Sequence, residues 1–532
     1  MAKRMRTDVT VSDLKDKRHP LSSCGCGPPV NGQSPQMSRR TLLVLGDQLN
    51  RATGALADVG PEDVGVRMVL SRAKLAQRPW HGAKLHLVIS AMRRFADGLR
   101  EEGFEVDWRV DDTWADGLDG AVDPVVMAPS SWDLRQRLDD LGVEQVPNDA
   151  FVVGEDGFAE WARGRKSLGL EWFYRQVRTE TGWLMDEGEP AGGQWNHDKD
   201  NRQRPPADGV SPPPPWRPTE DALDEEVRRE VRGFEQSLGL ELYGSMDERI
   251  FATSRAEALA ALEDFLDHRL AGFGPLEDAV VDDEPFMWHS LLSVPLNYGL
   301  LHPHEVCEAV DARWRDGRRD LPVASVEGFL RQVAGWREYV WGIYWHRMPG
   351  WREENHLGHD GTVPQAFWDG ETDMACISST VGGLLERGWN HHIPRLMLLG
   401  NYALMAGVDP QALTEWFHSM YVDAFDWVMV PNVIGMSQWA DGGVMATKPY
   451  ASTARYVNRM TTHCEGCAFD HRTRTEDDSC PFNSLYWDFL SRHRTTLSAN
   501  HRMAPILGNL DRFSRGERDA IRERARRFRT DG

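Results

Sequence analysis

Three cysteines cluster near the C-terminus. Cys464-Glu-Gly-Cys467 places two thiols across one tight turn, and Cys480-Pro481 follows thirteen residues later. Thiolates grouped in this way bind zinc or iron, and both metals accept four sulfurs. A fourth ligand must therefore come from elsewhere in the chain. Cys376, in a Trp-rich segment, suits that role better than Cys307, which falls inside a helical apolar pattern. The spacing leaves a tetrahedral zinc and a four-iron cluster both open. Seven cysteines, odd in number and unevenly clustered, fit a reducing compartment and metal ligation rather than a disulfide framework.

A second stretch with chemical potential is His289-Ser-Leu-Leu-Ser293. It is expected to open a helix, so that its backbone N–H groups and the hydroxyls of Ser290 and Ser293 can receive a phosphate or pyrophosphate.

The elements that must position these groups follow from length and periodicity. The 532 residues exceed one hydrophobic core, and 21 Trp, 19 Phe and 10 Tyr supply ample aromatic mass. Residues 1–39 mix Gly, Pro, Ser and charge without periodicity and are read as a disordered extension holding Cys24 and Cys26. Residues 40–165 alternate strand and helix signals: strands at Thr41 to Leu45, Val66 to Leu70, Glu105 to Arg109, Pro124 to Ala128 and Val143 to Val146. Leu85, Val88, Met92, Phe95 and Leu99 recur at helical steps and predict a helix of about twenty residues. The pattern is that of a doubly wound α/β domain. Residues 166–245, with Gly192-Gly193 and Pro212 to Pro215, read as an interdomain connector. Residues 246–532 read as an all-α domain, with Val326, Phe329, Leu330, Val333, Trp336, Val340 and Ile343 on one helical stripe.

Two function classes are disfavoured by composition. No run approaches the roughly 18 apolar residues of a spanning helix, and a formal charge of −21 argues against a nonspecific polyanion binder. A nucleic-acid contact must therefore use a local basic groove. The expected location is cytoplasmic, and the expected state monomeric.

An α/β domain, a long connector and a helical domain ending in Cys-x2-Cys…Cys-Pro resemble the iron-sulfur bacterial cryptochromes and photolyases. The resemblance spans about residues 41–510. It rests on Glu171-Trp-Phe-Tyr-Arg175, Gly193-Gln-Trp-Asn196 with Asn201-Arg202, Gly335-Trp-Arg-Glu-Tyr339, His391-His392-Ile-Pro-Arg395 and Gly435-Met-Ser-Gln-Trp-Ala-Asp-Gly-Gly443. It implies a [4Fe-4S] cluster on Cys376, Cys464, Cys467 and Cys480, FAD in the helical domain, and a 6,7-dimethyl-8-ribityllumazine antenna in the α/β domain.

Individual roles follow from the same resemblance. Ser290 and Ser293 would take the FAD pyrophosphate. Arg395 and Asp423 would lie beside the flavin ring, where a guanidinium stabilises the anionic reduced flavin. Met429 would occupy the place facing flavin N5, where a thioether can neither donate nor exchange a proton. His392, with His391 beside it, would meet the lesion and move a proton during repair. The place four positions after His392, a histidine in the animal enzymes, is Leu396 here. Tyr450 and Tyr456, near Lys448, Arg455 and Arg459, would stack on a flipped base and bind phosphate. Trp368 and Trp416 would form an electron-transfer chain to the flavin. The residue after Trp416, often Tyr in this group, is Phe417, so the last hop must differ.

The implied activity is light-driven repair of (6-4) pyrimidine photoproducts in UV-damaged DNA by electron transfer from reduced FAD, a lyase reaction. The second reading is a blue-light photoreceptor of the same fold that repairs nothing. A third, a nonphotochemical nucleic-acid module, leaves the α/β domain unexplained.

Overall fold

Short runs of Val, Leu and Met build a five-stranded parallel sheet from β1 (Arg40–Leu43), β2 (Val64–Ser71), β3 (Val106–Asp111), β4 (Val125–Met127) and β5 (Glu144–Val146). The computed structural model describes residues 39–316 and 321–529, so the N-terminal extension with Cys24 and Cys26 lies outside the described residues. The spatial order is β3-β2-β1-β4-β5, with Leu42 opposite both Val66 and Val125. Strand order reverses between β1 and β4, which opens a crevice at the carboxyl ends of these strands. Gly46-Asp47-Gln48 lies there. Gln48 donates from Nε2 to the Met127 carbonyl at 2.7 Å, Ser130 donates to the Asp47 carboxylate, and burial raises the Asp47 pKa.

Helix α1 (Gly82–Glu101) spans 20 residues and buries Leu85, Met92, Ala96 and Leu99. His81 caps it, accepting at Nδ1 from the Ala83 N–H at 3.2 Å and donating from Nε2 to the Leu384 carbonyl at 2.9 Å. That division of roles belongs to a neutral imidazole. Burial holds the His81 pKa at about 4. One side chain thus starts a helix of the α/β unit and ties it to the helical unit.

The segment 166–245 is largely ordered, contrary to the openness that its glycines and prolines suggest. It contains α2 (Leu170–Thr181) and α3 (Ala222–Leu238). An Asp221 and Asp224 capping box starts α3, and the buried Asp224 is gripped by Arg94 of α1 at 2.9 Å and by Arg249 at 2.9 Å. The Arg178 guanidinium, also buried, donates to the carbonyls of Trp195 and Leu184 at 3.0 and 2.5 Å. Buried polar groups satisfied in this way fix a connector against the body it spans.

Among the described residues that follow, helices predominate, separated by irregular stretches such as 274–292, 438–453 and 461–480. Val323–Leu330, Arg331–Arg337 and Glu338–Arg347 run on as one helix, α5, whose middle segment is π-type; the short α4 (Ser293–Asn297) precedes it. The anticipated stripe of α5 is buried, Trp336 excepted, which is only partly covered. Then come α6 (Ala375–Arg387), α7 (Pro394–Gly400 and Asn401–Ala406), α8 (Pro410–Met420), α9 (Asp426–Val430 and Pro431–Ser437) and α10 (Pro481–Arg492). The proline-led segments Pro394–Gly400 and Pro431–Ser437 are also π-type, and π segments recur at functional sites. The two units meet tightly where the Leu49 N–H donates to the Tyr298 carbonyl at 3.0 Å. Gly299 sits there with φ +83°, and a Cβ on it would lie 2.9 Å from the Leu49 nitrogen. Among the described residues no helix is long and apolar enough to cross a membrane.

Candidate functional site

Four thiols from three separate segments come together in the helical unit. Cys376 lies in the first turn of α6, and Cys480 is the residue before α10, where Pro481 takes the first helical position. Cys464 and Cys467 flank Gly466, whose φ of +80° permits the tight turn between them. The loop that follows folds back on itself: the Cys480 N–H donates to the Asp470 carbonyl at 2.9 Å, returning Cys480 toward this turn. Cys467 points its sulfur at the carbonyl of Asp373, 3.8 Å away, at the start of the Cys376 segment. Burial raises the Cys376 thiol well above its ordinary value, and Cys480, Cys464 and Cys467 each add to the rise. Burial likewise pushes Cys480 up to about 12 and Cys464 to about 11. Thiolates packed together are therefore unfavourable unless a cation joins them. Cys307 stands apart, buried on another helix with Glu338 and Arg337 as its charged neighbours. All five thiols are free, and among the described residues no three His, Cys, Asp or Glu side chains are arranged to hold a metal ion.

A second cluster surrounds the loop before α4. The helix begins at Ser293, not at His289, because Leu291 adopts φ +61°, a left-handed conformation that blocks an earlier start. Met287 also has positive φ, at +44°. Two non-glycine residues held in that region within five positions mark a loop constrained by its surroundings. The Ser290 hydroxyl accepts from the Leu292 N–H at 3.3 Å, whereas the buried Ser293 hydroxyl has no partner among the described residues. Beside Ser290 a water-sized cavity of about 20 Å³ is lined by Trp216, Phe251, Arg269 and Leu291. Arg269 is a residue that motif reading missed. Its guanidinium is buried, donates to the Met287 carbonyl at 2.6 Å, and forms no salt bridge among the described residues. Burial lowers its pKa to about 10. Asp264 lines the same cavity and offsets part of the Arg269 charge, so this buried cation without a salt bridge, with Ser290 beside the cavity, is a donor set for an anion. The sequence carries no hint of this, since Arg269 follows Asp267 and His268 as an ordinary polar helix end would.

Next to this loop, His289 stacks on His391, ring centroids 4.4 Å apart and planes 19° from parallel. Burial, aided by nearby positive groups, lowers the His289 pKa to about 3 and that of His391 well below its ordinary value. Both ring nitrogens of His391 are buried without a hydrogen-bond partner among the described residues. His392 turns the other way. Solvent reaches its ring, yet the surrounding protein, with Arg395 and Arg202, depresses its pKa to about 4. A side chain both exposed and crowded lies on the wall of a recess.

Arg395, in the π segment of α7, grips Asp423 through both arms at 2.9 and 3.0 Å and donates from Nε to the Asn390 carbonyl at 2.8 Å. Its guanidinium also covers the Tyr421 ring at 4.1 Å, and the Tyr421 hydroxyl donates to Asn390 at 2.9 Å. A guanidinium fixed on three sides offers its remaining face in one orientation. The Asp423 carbonyl accepts from Asn297 of α4 at 2.8 Å, which ties this pair to the serine loop.

Near His392, Tyr450 is 38% exposed, and the charges of Arg202 and Asp278 reach both it and Tyr456. Arg459 lies over the Tyr456 ring at 5.7 Å. Trp416 is buried in α8 with Trp368 against it at 6.4 Å. Met429 is buried among apolar side chains of the same core.

The chain is 38% identical to a (6-4) photolyase of Agrobacterium fabrum over 505 residues, 92% of this chain and 98% of that protein. The protein belongs to the photolyase family. The family described as deoxyribodipyrimidine photo-lyase-related protein matches residues 42–251, which covers the α/β unit and the connector. A bacterial class III photolyase from Agrobacterium tumefaciens shares the fold, with a TM-score of 0.54, 15% identity and coverage of 90% of this chain and 99% of that one. A shorter match, 38% over 65 residues, links 12% of this photolyase-family chain to 53% of the uncharacterized protein R855 of Acanthamoeba polyphaga mimivirus.

Proposed function

We propose that the protein restores (6-4) pyrimidine photoproducts in DNA under light, as a photolyase that uses FAD. The observation that carries this reading is near-full-length similarity to a (6-4) photolyase, in a chain whose paired histidines split between interior and recess. Ser293, Ser290 and Arg269 fit the pyrophosphate of FAD: the Ser293 hydroxyl is buried without a partner among the described residues, and the buried Arg269 forms no salt bridge among them. Arg395, held by Asp423, would present positive charge to the flavin ring, with Met429 as the proposed neighbour of N5. When bound, FAD supplies the light-driven electron.

The protein's own groups do the rest. His392 enters the reaction neutral at physiological pH because its pKa is held near 4, so it can accept a proton from the lesion and return it to the separating base. His391, pinned against His289, fixes the backbone from which His392 projects. Tyr450 and Tyr456 would stack on the extruded bases, while Arg202 and Arg459 neutralise phosphate within an otherwise acidic chain of net charge −21. Cys376, Cys464, Cys467 and Cys480 would hold a [4Fe-4S] cluster, since four thiols from three segments come together and burial raises those of Cys376, Cys464 and Cys480. Trp416 and Trp368 would carry electrons inward to the flavin. The crevice beside Asp47, Gln48 and Ser130 is the proposed place for a ribityllumazine antenna, whose polar ring edge needs such partners.

The test uses the holoprotein, a reductant and two oligonucleotides, one with a (6-4) photoproduct and one with a cyclobutane dimer, in blue light and in darkness. Light-dependent loss of the (6-4) product alone supports the reading. Repair of the cyclobutane dimer alone overturns the lesion assignment, and flavin photoreduction without any repair supports the photoreceptor instead.

A further inference from the structure

Trp368 stands between two oxidisable rings. Trp416 is on one side, centroids 6.4 Å apart with planes at 90°; Tyr243 is on the other, at 4.8 Å and 40°. Trp416 is 1% exposed, whereas Trp368 and Tyr243 are half-buried, so the row runs from the core toward the surface. Phe417 touches Trp416 at 5.0 Å but has no hydroxyl and is far harder to oxidise.

Tyr243 also has somewhere to put a proton. Its hydroxyl donates to the exposed Glu241 carboxylate at 2.5 Å, in the short range of charge-assisted O–H···O bonds. Burial, then Glu241, then Asp369 raise the phenol to about 12, so it is neutral at working pH and must lose a proton along with an electron. The backbone holds the ring in place: Leu242–Tyr243 pairs in parallel with Trp80–His81, and His81 is itself anchored to α6 through Leu384. The connector, which carries no role in the light reaction so far, thereby delivers a redox-active side chain to the helical unit.

Resting on the electron-transfer role proposed above for Trp416 and Trp368, we propose that Tyr243 is the terminal donor of this row and that Glu241 is its proton acceptor. Trp368, oxidised by one electron through Trp416 toward the photoexcited flavin, takes one electron from Tyr243. The phenolic O–H bond breaks, and its proton moves to a Glu241 oxygen. The products are neutral Trp368, a neutral tyrosyl radical and a protonated Glu241 carboxyl. A soluble thiol then returns a hydrogen atom to the tyrosyl oxygen and leaves as a thiyl radical, while Glu241 releases its proton to water.

The experiment freeze-traps radicals in illuminated holoprotein and reads them by electron paramagnetic resonance. A second readout, independent of flavin, oxidises the same proteins with a flash-quenched ruthenium sensitiser. Wild type is expected to give a tyrosyl signal by both routes. Tyr243→Phe is expected to lose it and show a tryptophanyl signal. Glu241→Gln is expected to lower the tyrosyl yield several-fold and to remove the slowing seen in deuterated water. Unimpaired flavin photoreduction in Trp368→Phe refutes the row itself. Impaired photoreduction in that variant, together with a tyrosyl signal that survives Tyr243→Phe, refutes the Tyr243 step alone.

Discussion

His391 lies flat against His289, 4.4 Å between ring centroids, while its neighbour His392 faces solvent. Adjacent residues at a helix entrance point in different directions, so one histidine serves packing and the other is free to meet a substrate. The division gives opposite expectations for two similar substitutions. His391→Ala removes a stacked aromatic pair and should destabilise the protein by at least about 0.5–1.5 kcal/mol. His392→Ala should change stability by less than about 0.5 kcal/mol. Denaturant unfolding of both variants checks this.

The Arg395 and Asp423 pair is nearly closed to solvent, with side chains 15% and 6% exposed. Removing one partner strands the other charge. Arg395→Met or Asp423→Asn alone is expected to cost about 3–5 kcal/mol, and the double replacement less than the sum. The single variants should also purify with depleted FAD, read from the flavin absorbance per chain. Equal costs that simply add would show the two residues to be energetically independent.

Acid should weaken the fold well before its carboxylates are titrated. The pKa values of His81 and His493 fall to about 4 and those of His289 and His359 to about 3, burial being the leading cause in each. The unfolded chain binds protons at these sites near the ordinary 6.5, and the folded chain does not. Between pH 6.5 and about 4 the unfolded state therefore holds more protons, so stability is full above 6.5 and is lost as pH falls through this window. Thermal unfolding at stepped pH should show the decline, and a flat profile from 7 to 5 would contradict these burial effects.

Most of the α/β unit was legible because strands and helices there carry simple periods: the five strands and the helix after His81 lie where expected. The connector was harder, since its helices α2 and α3 are separated by a Gly- and Pro-rich stretch that dominates its composition. The serine loop was misread at its start, because positive φ at Met287 and Leu291 reflects tertiary packing that no local pattern announces. Arg269 escaped for a similar reason: its meaning comes from burial without a salt bridge among the described residues, a property of the fold. The cysteines and the histidine pair were visible through spacing and resemblance, while the opposite orientations of His391 and His392 were not.

The thiol cluster makes an analytical prediction. Anaerobically purified protein should contain about four iron and four sulfide per chain, and Cys464→Ser or Cys376→Ser should lose most of both. Cys307→Ser should keep them, since Cys307 packs beside Glu338 and Arg337 instead. Stoichiometric zinc in place of iron would overturn the cluster assignment.

The most direct test of the proposed repair centre is single-turnover restoration of a duplex bearing one (6-4) photoproduct, followed by chromatography, in wild type and His392→Ala. Both proteins should bind the duplex and photoreduce their flavin alike. Loss of the histidine should slow restoration by on the order of a hundredfold or more, the size of a missing proton-transfer group. Restoration at the wild-type rate in His392→Ala would contradict the assignment of the recess histidine to the chemistry.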